Sequence, residues 1–574
     1  MDLGQELPLY TLCMISKRLS WTTKYHGIHT ALISLDLKSA FDNLWWPAIL
    51  QALRSSGCPS NIFNTINHYL QDRRIMIIHS AGIIEKSQTR GCPQGSCAGP
   101  QLWNLTFNKL LNASWPAHTN IFAYADDAAL VVKGHSREEL QKNCNEACQI
   151  FQRNCDELKL VIAENKCQIL LVPKKGGSLA RRPRIVLNGQ RLKIVKELKY
   201  LGVTFDEKLT WIPHVLSIKK RTLAIAKQLR QFYGYKWGLN HHIQKILYTT
   251  VVEKLVTYAA AIWALPMQRR KIKHLSTIQR PFALGITRAY ITTSTDAINV
   301  LAGLLPLHIR TEEEAARQML IQLHKPIAFA EENFTSEEYE TKLTSDSIHP
   351  ADYGVGIRLH VPPTEYRSPS SIVIYTDGSK IEGNVGSAFA VLQKNSVIAQ
   401  WKGHLANNNS VFQGEAVAIA QAIRYLLTHQ ILKATIKSDS LSAIYAISNP
   451  EHPSKIIRDI QQDLRKHQRH DIHLAWIKAH MGEYGNEVAD TLAKEAAFGI
   501  AAEQIHIPWP HSHLKSALRL KAISKWQEEW DYSTTGRRTY YHISYVTQDR
   551  CCGNPHLTRY ISGHGPFPLY FERF

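Results

Sequence analysis

Apolar and polar positions along the chain fall into two strand-and-helix stretches with a helical stretch between them. Residues 28–50 open with ALISLDL, an apolar run that reads as a strand, and lead into a helix starting near Ser39. Residues 61–79 give a helix and then a β-branched run, IMIIH. A Gly/Pro turn at 90–100 precedes a helix around Leu102–Leu111. Two apolar runs within 121–132 flank an Asp-Asp pair, the pattern of a β-hairpin with acids at its tip. A long amphipathic helix at about 136–158 and a strand near Gln168–Val172 follow, then a basic loop, VPKKGGSLARRP. From about 213 to 330 the period is helical, with basic clusters at Lys219–Arg221 and Arg269–Lys273 and the aromatics Phe232, Tyr233, Tyr235 and Trp237 between them. Residues 330–369 are polar and interrupted by prolines, which suits a linker. A second α/β pattern runs from 371 to about 500, and the remaining residues, rich in aromatics and His, match no fold pattern.

Composition sharpens this picture at one point. The net charge is +20 in 574 residues, enough chain for roughly three or four domains. Residues 1–330 hold 43 Lys+Arg against 22 Asp+Glu, whereas residues 370–500 hold 13 against 12. The excess therefore lies in the first part, which should carry most of the grip on a polyanion. The ten cysteines show no CxxC pair. Cys144, Cys148 and Cys155 share a helical stretch and read as buried small hydrophobes. Cys551, Cys552 and His556 do not make a zinc set by spacing. No signal pattern and no run near 18 apolar residues is found, so the expected location is intracellular, nucleus or cytoplasm, with no membrane partner.

Acidic residues then form two constellations. Asp36 ends the strand ISLD, and Asp126 and Asp127 sit at the hairpin tip in FAYADDAALVV. Carboxylates at the ends of adjacent strands can hold two hard cations about 4 Å apart, as phosphoryl transfer to a polynucleotide 3′ end requires. A lone Asp-Asp is more often a solvated tip, so the neighbours matter. Phe41, five residues past Asp36, can block a ribose 2′-hydroxyl. RGCPQGSCAGP offers Gly91 and Gly95 for close backbone approach and Gln94 as a polar probe, and Lys166 can protonate a leaving pyrophosphate.

The second constellation lies in 372–490. IVIYTDGSK reads as a strand ending in Asp377, with Gly378 and Ser379 turning into the next strand. VFQGEAVAIAQAIRYLL is an amphipathic helix with Phe412, Ala416, Ile419 and Ile423 inward and Glu415 beside that face. IKSDS ends in Asp439, and Asn486 is expected to cap a helix with Asp490 on its first turn. Four carboxylates brought together would repel unless divalent cations neutralise them. His480, in the Gly-rich loop WIKAHMGEYGN, could help product or metal leave.

ISLDLKSAFD, RGCPQGSCAGP, FAYADD and LKLVIAENK, in this order, resemble reverse-transcriptase motifs A to D in the form found in non-LTR (LINE-type) retrotransposons. LKYLGVTFD resembles the next motif, and residues 278–307 resemble the thumb side of arthropod elements. TDGS, a helix with Glu, SDS and HxGxxGNExAD resemble type-1 RNase H, with Lys478-Ala479 where Pro-Gly is usual.

The resemblance implies an α/β multidomain chain. Residues 1–210 would be a reverse-transcriptase palm, an antiparallel sheet with helices and its fingers missing, and 211–330 a helical thumb. Residues 331–369 would be a linker, 370–500 an RNase H domain with a mixed five-stranded sheet, and 501–574 a tail of uncertain fold. It implies metal ligation by Asp36, Asp126 and Asp127 and by Asp377, Glu415, Asp439 and Asp490, with His480 as the loop histidine. Phe41 would be the steric gate, Gln94 and Gly95 would contact the template–nucleotide pair, and Lys166 would sit at the nucleotide. It further implies two Mg²⁺ or Mn²⁺ ions per site, and RNA, DNA, RNA–DNA hybrid and deoxynucleoside triphosphates as partners. The alternatives are a nucleic-acid-binding fragment in which only the RNase H is active, and an inactive relic.

Overall fold

The computed structural model describes residues 6–25, 27–80, 82–92, 95–177, 179, 181–232, 238–341, 356–361, 370–479 and 481–572. Two compact units emerge: residues 3–318 with 523–574, and residues 319–522. Among the described residues no helix is long and apolar enough to cross a membrane.

The first unit is built on a five-stranded sheet in the order Thr119–Tyr124, Asp127–Gly134, His29–Leu35, Gln168–Val172, Lys193–Val195. Its pairings are antiparallel except the last, which is parallel. Alternation decides which face is covered: Ala31, Ile33 and Leu35 share a buried cluster with Leu130, Val132, Trp103, Phe107 and Phe151. The helices Gly99–Leu111 and Arg137–Glu157 supply the aromatic members. Ser136 starts the second of these by accepting a hydrogen bond from the Glu139 N–H. Cys144, Cys148 and Cys155 lie in the same core, as their helical spacing predicts, and burial pushes all three thiols up.

The helical stretch forms as expected, with long helices at Ile212–Leu229, Arg269–Thr287 and Leu307–Ile321. Arg310 is buried among Glu253, Glu313 and Glu314 at 3.2–3.3 Å. Tyr233, Tyr235 and Trp237 lie outside the described residues.

Residues 501–574, a tail of uncertain fold by sequence, divide between the two units, 501–522 falling in the second. Residues 523–574 fold with the first unit: His564 Nδ1 meets Thr292 Oγ1 at 2.9 Å, Ser533 donates to Asp296, and the Cys552 N–H donates to the Leu301 carbonyl at 2.9 Å. Short helices such as Arg537–His542 and Pro555–Ser562 carry too few turns to show a period in sequence.

The second unit holds a mixed sheet ordered Arg358–His360, Asp471–Trp476, Lys433–Ser438, Ile372–Ile381, Asn384–Gln393, Ser396–Leu405, Glu503–Ile505. It has seven strands rather than five. The two additions are three-residue edge strands, paired parallel to their neighbours and too short for alternation to reveal. One of them, Arg358–His360, falls inside the expected linker, as does the second strand of the hairpin Ile327–Phe329/Glu332–Phe334. Residues 342–355 and 362–369 of that linker lie outside the described residues. The helix Val411–Thr428 packs Ala416, Ile419 and Ile423 against Ile374, Phe389 and Ile436.

Candidate functional sites

In the second unit, the ladder between Ile372–Ile381 and Lys433–Ser438 is parallel and ends with Thr376 opposite Ser438. Asp377 and Asp439 each follow that last paired position, so the last rung sets them side by side. The Ile372 strand does not end at Asp377. It continues to Ile381, still paired with Asn384–Gln393, and the turn lies at Glu382–Gly383. The polar, glycine-containing DGSK segment reads as a turn, but its backbone is satisfied by the neighbouring antiparallel strand.

Glu415 is the fifth residue of Val411–Thr428, whose start is fixed by a capping box between Ser410 and Gln413. That start lies directly on the sheet. A Cβ on Gly378 would stand 2.5 Å from the Glu415 nitrogen, and Ser387 Oγ donates to the Gly414 carbonyl at 2.7 Å. Ligand atoms of Asp377, Glu415 and Asp439 all lie within 4.8 Å of one another. Asp377 and Glu415 are 7% and 6% exposed, and Glu415 Oε2 has no hydrogen-bond partner. Burial pushes both carboxyls up, Glu415 strongly, and repulsion from Asp439 adds to each.

Asp490 lines the same cleft of about 140 Å³ as Asp377 and Asp439, and accepts a hydrogen bond from Lys494 at 2.6 Å. Its helix runs Tyr484–Ala497 and is N-capped by Glu483, not Asn486, so Asp490 is on the second turn. Glu483 makes no side-chain cap bond, whereas Ser/Asn-type residues are what a sequence pattern detects. Asn486 is instead buried and donates to Asp439 Oδ2 at 3.4 Å. Lys437 pairs with Glu483 at 3.0 Å, anchoring the start of this helix to the Asp439 strand. These contacts of Asn486, Glu483 and Lys437 escaped the sequence reading. The one available signal was the Asn four residues before Asp490. His480 lies outside the described residues.

In the first unit, Asp36 follows the His29–Leu35 strand. Its backbone is held by the Ala163 N–H at 2.8 Å, with its own N–H donating to Cys167 Sγ at 3.4 Å. The hairpin closes with Tyr124 opposite Asp127, and Ala125 takes a left-handed φ of 53°. Trp103 Nε1 donates to the Ala125 carbonyl at 2.9 Å, pinning the tip. Burial raises the Asp127 carboxyl, and the neighbouring Asp126 and Asp36 charges raise it further. Lys166 Nζ stands 3.6 Å from Asp36 Oδ1.

The Phe41 ring packs at 5.1 Å from Trp103, and the Phe41 carbonyl accepts the Cys92 N–H at 2.8 Å. Gly91 is required there: at φ 98° its Cβ would sit 2.7 Å from the Asp42 carbonyl oxygen. Gly95, at φ 83°, faces open space, and Gln94 lies outside the described residues.

A five-stranded sheet with Asp36, Asp126 and Asp127 at strand ends and a second α/β unit with a carboxylate-lined cleft are the two parts of the chain that family models match. Residues 11–205 match the family model "Reverse transcriptase (RNA-dependent DNA polymerase)", and residues 369–498 match "RNase H". Both families depend in general on divalent metal ions and act on nucleic acids.

A Pol polyprotein from type-1 retrotransposable element R1 of Nasonia vitripennis is 30% identical over 235 residues, 40% of this chain and 69% of that protein. The R1DM 115 kDa protein of Drosophila melanogaster is 31% identical over 291 residues, 50% of this chain. The R1 Pol polyprotein of Bradysia coprophila is 31% identical over 301 residues, 51% of this chain. The chain belongs to the family of R1 non-LTR retrotransposon Pol proteins. It spans 28% and 29% of the Drosophila and Bradysia relatives' own lengths.

Proposed function

We propose that this chain hydrolyses the RNA strand of RNA–DNA hybrids at the Asp377–Glu415–Asp439–Asp490 site, and that Asp36, Asp126 and Asp127 form an RNA-directed DNA polymerase site. The observation that carries the first reading is the packing of three acids within 4.8 Å, two of them nearly sealed from water and one with an oxygen left unpartnered. Buried like charges of this kind are costly without a counter-charge. An all-oxygen donor set suits Mg²⁺ or Mn²⁺. The same test applies more loosely to the palm, where burial raises Asp127 and repulsion from Asp126 and Asp36 adds to it.

Bound cations would supply a water of lowered pKa and neutralise the leaving oxygen. The rest falls to the chain. Asp377, Glu415, Asp439 and Asp490 would hold the ions, and Asn486 fixes the Asp439 oxygen through its amide. Asp490 lines the same cleft and is tied to Lys494. His480 serves product release. In the palm, Lys166 would protonate the leaving pyrophosphate, Phe41 would exclude a 2′-hydroxyl, and Gln94 and Gly95 would contact the template–nucleotide pair. Residues 211–330 act as the thumb, and the surplus charge of residues 1–330 holds the phosphates.

The test supplies a labelled hybrid and a matched single-stranded RNA to the full chain with Mg²⁺. Cleavage of the hybrid alone, abolished by chelation, is expected. Cleavage of both substrates, or cleavage that persists in chelator, would overturn the assignment.

A further inference from the structure

Three metal-ligating side chains that belong to neither acidic site meet in the first unit. His241 and His242 are the first two residues of the helix His241–Leu247, and Cys551 lies some 300 positions further along the chain. One ligand atom from each falls within 4.8 Å of the other two. The spacing of Cys551, Cys552 and His556 gives no such set by itself. The histidines that complete it come from another part of the fold.

Backbone contacts force the meeting. The Cys552 N–H donates to the Leu301 carbonyl at 2.9 Å, and Arg550 donates to the Val300 carbonyl at 3.3 Å. Lys245, one turn after His241, donates to the carbonyls of Gln548 and Arg550 at 2.5 and 2.7 Å. Two glycines permit the approach. A Cβ on Gly303 would lie 2.1 Å from the Arg550 carbonyl oxygen, and one on Gly553 would lie 2.2 Å from the His241 ring. The 548–553 segment is thus seated against the helix that carries both imidazoles, whose rings stand 4.3 Å apart.

We infer that His241, His242 and Cys551 bind a zinc ion that staples the C-terminal segment to the helical region. Two imidazole nitrogens and one thiolate match the donor chemistry of Zn²⁺, with bonds of about 2.0–2.1 Å to nitrogen and about 2.3 Å to sulfur. Tetrahedral donors at those lengths stand about 3.3–3.6 Å apart, so a cluster within 4.8 Å closes by small side-chain rotations. Three protein donors leave the fourth position to water. His242 is exposed and the other two are half-buried, so an ion reaches the site from solvent. Soft sulfur distinguishes this site from the all-oxygen acidic clusters, which prefer Mg²⁺.

The test uses the untagged full chain, freed of metal and loaded with Co²⁺. One equivalent should produce a thiolate-to-cobalt charge-transfer band in the near ultraviolet with tetrahedral visible bands. Carboxylate-bound cobalt gives no thiolate band. The band should vanish in Cys551→Ser and in His241→Ala, and persist in Cys97→Ser, which alters an exposed cysteine elsewhere. A second measurement needs no variant. Zn²⁺ should slow alkylation of Cys551 at least tenfold, read by peptide mass spectrometry, and leave Cys97 unaffected. Absence of the band, its survival in Cys551→Ser, or equal alkylation with and without Zn²⁺ would overturn the site.

Discussion

Gly378→Ala probes the geometry of the acidic cluster without touching an acid. The new Cβ would sit 2.5 Å from the Glu415 nitrogen, 2.8 Å from the Gly414 carbonyl carbon and 3.0 Å from Glu415 Cγ. Ordinary contact begins at 3.4 Å, so the strand and the helix start must part by nearly an ångström. Neither side yields by a rotamer change, because the crowded atoms are mostly backbone. Gly378 is held in register opposite Ser387, and Ser387 in turn holds the Gly414 carbonyl.

Overpacking of this kind costs about 1–3 kcal/mol. The displacement falls between Asp377 and Glu415, and misplacing catalytic groups by about 1 Å costs on the order of 10²-fold in rate. Hybrid cleavage at saturating substrate and Mg²⁺ should therefore drop about 100-fold while the unit stays folded by circular dichroism. Gly383→Asn is the control: it lies in the turn beyond the same strand, where nothing stands within 4 Å, and should cleave normally. A folded Gly378→Ala chain with the wild-type rate would refute the reasoning.

Three further outcomes are expected. His214 is buried against Trp263 and accepts the Thr204 N–H, and burial lowers it to about 4 from 6.5. Its stabilising contribution is full above pH 6.5 and is lost as pH falls toward 4, because the unfolded chain takes up the proton first. The loss is on the order of 3 kcal/mol, so urea melts of the first unit at pH 7.5 and 4.5 should diverge less in His214→Asn than in the wild type. Arg310→Leu leaves Glu253, Glu313 and Glu314 buried without their shared cation and should cost about 3–5 kcal/mol in the same melts; a change under about 1 kcal/mol would contradict the network. Phe41→Ala should raise ribonucleotide over deoxynucleotide incorporation in primer extension with Mn²⁺, and an unchanged ratio would remove Phe41 as the gate.

Local patterns carried the two acidic sites into view. Apolar runs ending in Asp36 and Asp439, and the hairpin bearing Asp126 and Asp127, are short-range signals that the sheets preserve. What stayed hidden depends on partners distant in sequence. The edge strands Arg358–His360 and Glu503–Ile505 are too short to alternate and exist because a neighbouring strand is there to pair with. Gly378 looked like a turn because its partner, Ser387, was not known. Asn486 looked like a cap because its hydrogen bond to Asp439 crosses 47 positions. Lys166, which reads as a solvated lysine in isolation, lies 3.6 Å from Asp36 only once two strands are adjacent. The C-terminal segment packs on Leu301, Asp296 and Thr292, residues more than 230 positions earlier.

The most direct measurement of the central claim compares RNA-strand cleavage of a labelled hybrid, with Mg²⁺, by the full chain and by Asp439→Asn and Asp126→Asn. Asp439→Asn keeps the side-chain shape but removes one charge from the cluster that would hold the ions. A loss of several orders of magnitude is expected in Asp439→Asn, by analogy with other metal-ion catalysis, and little change in Asp126→Asn. Equal cleavage by the wild type and Asp439→Asn would contradict it.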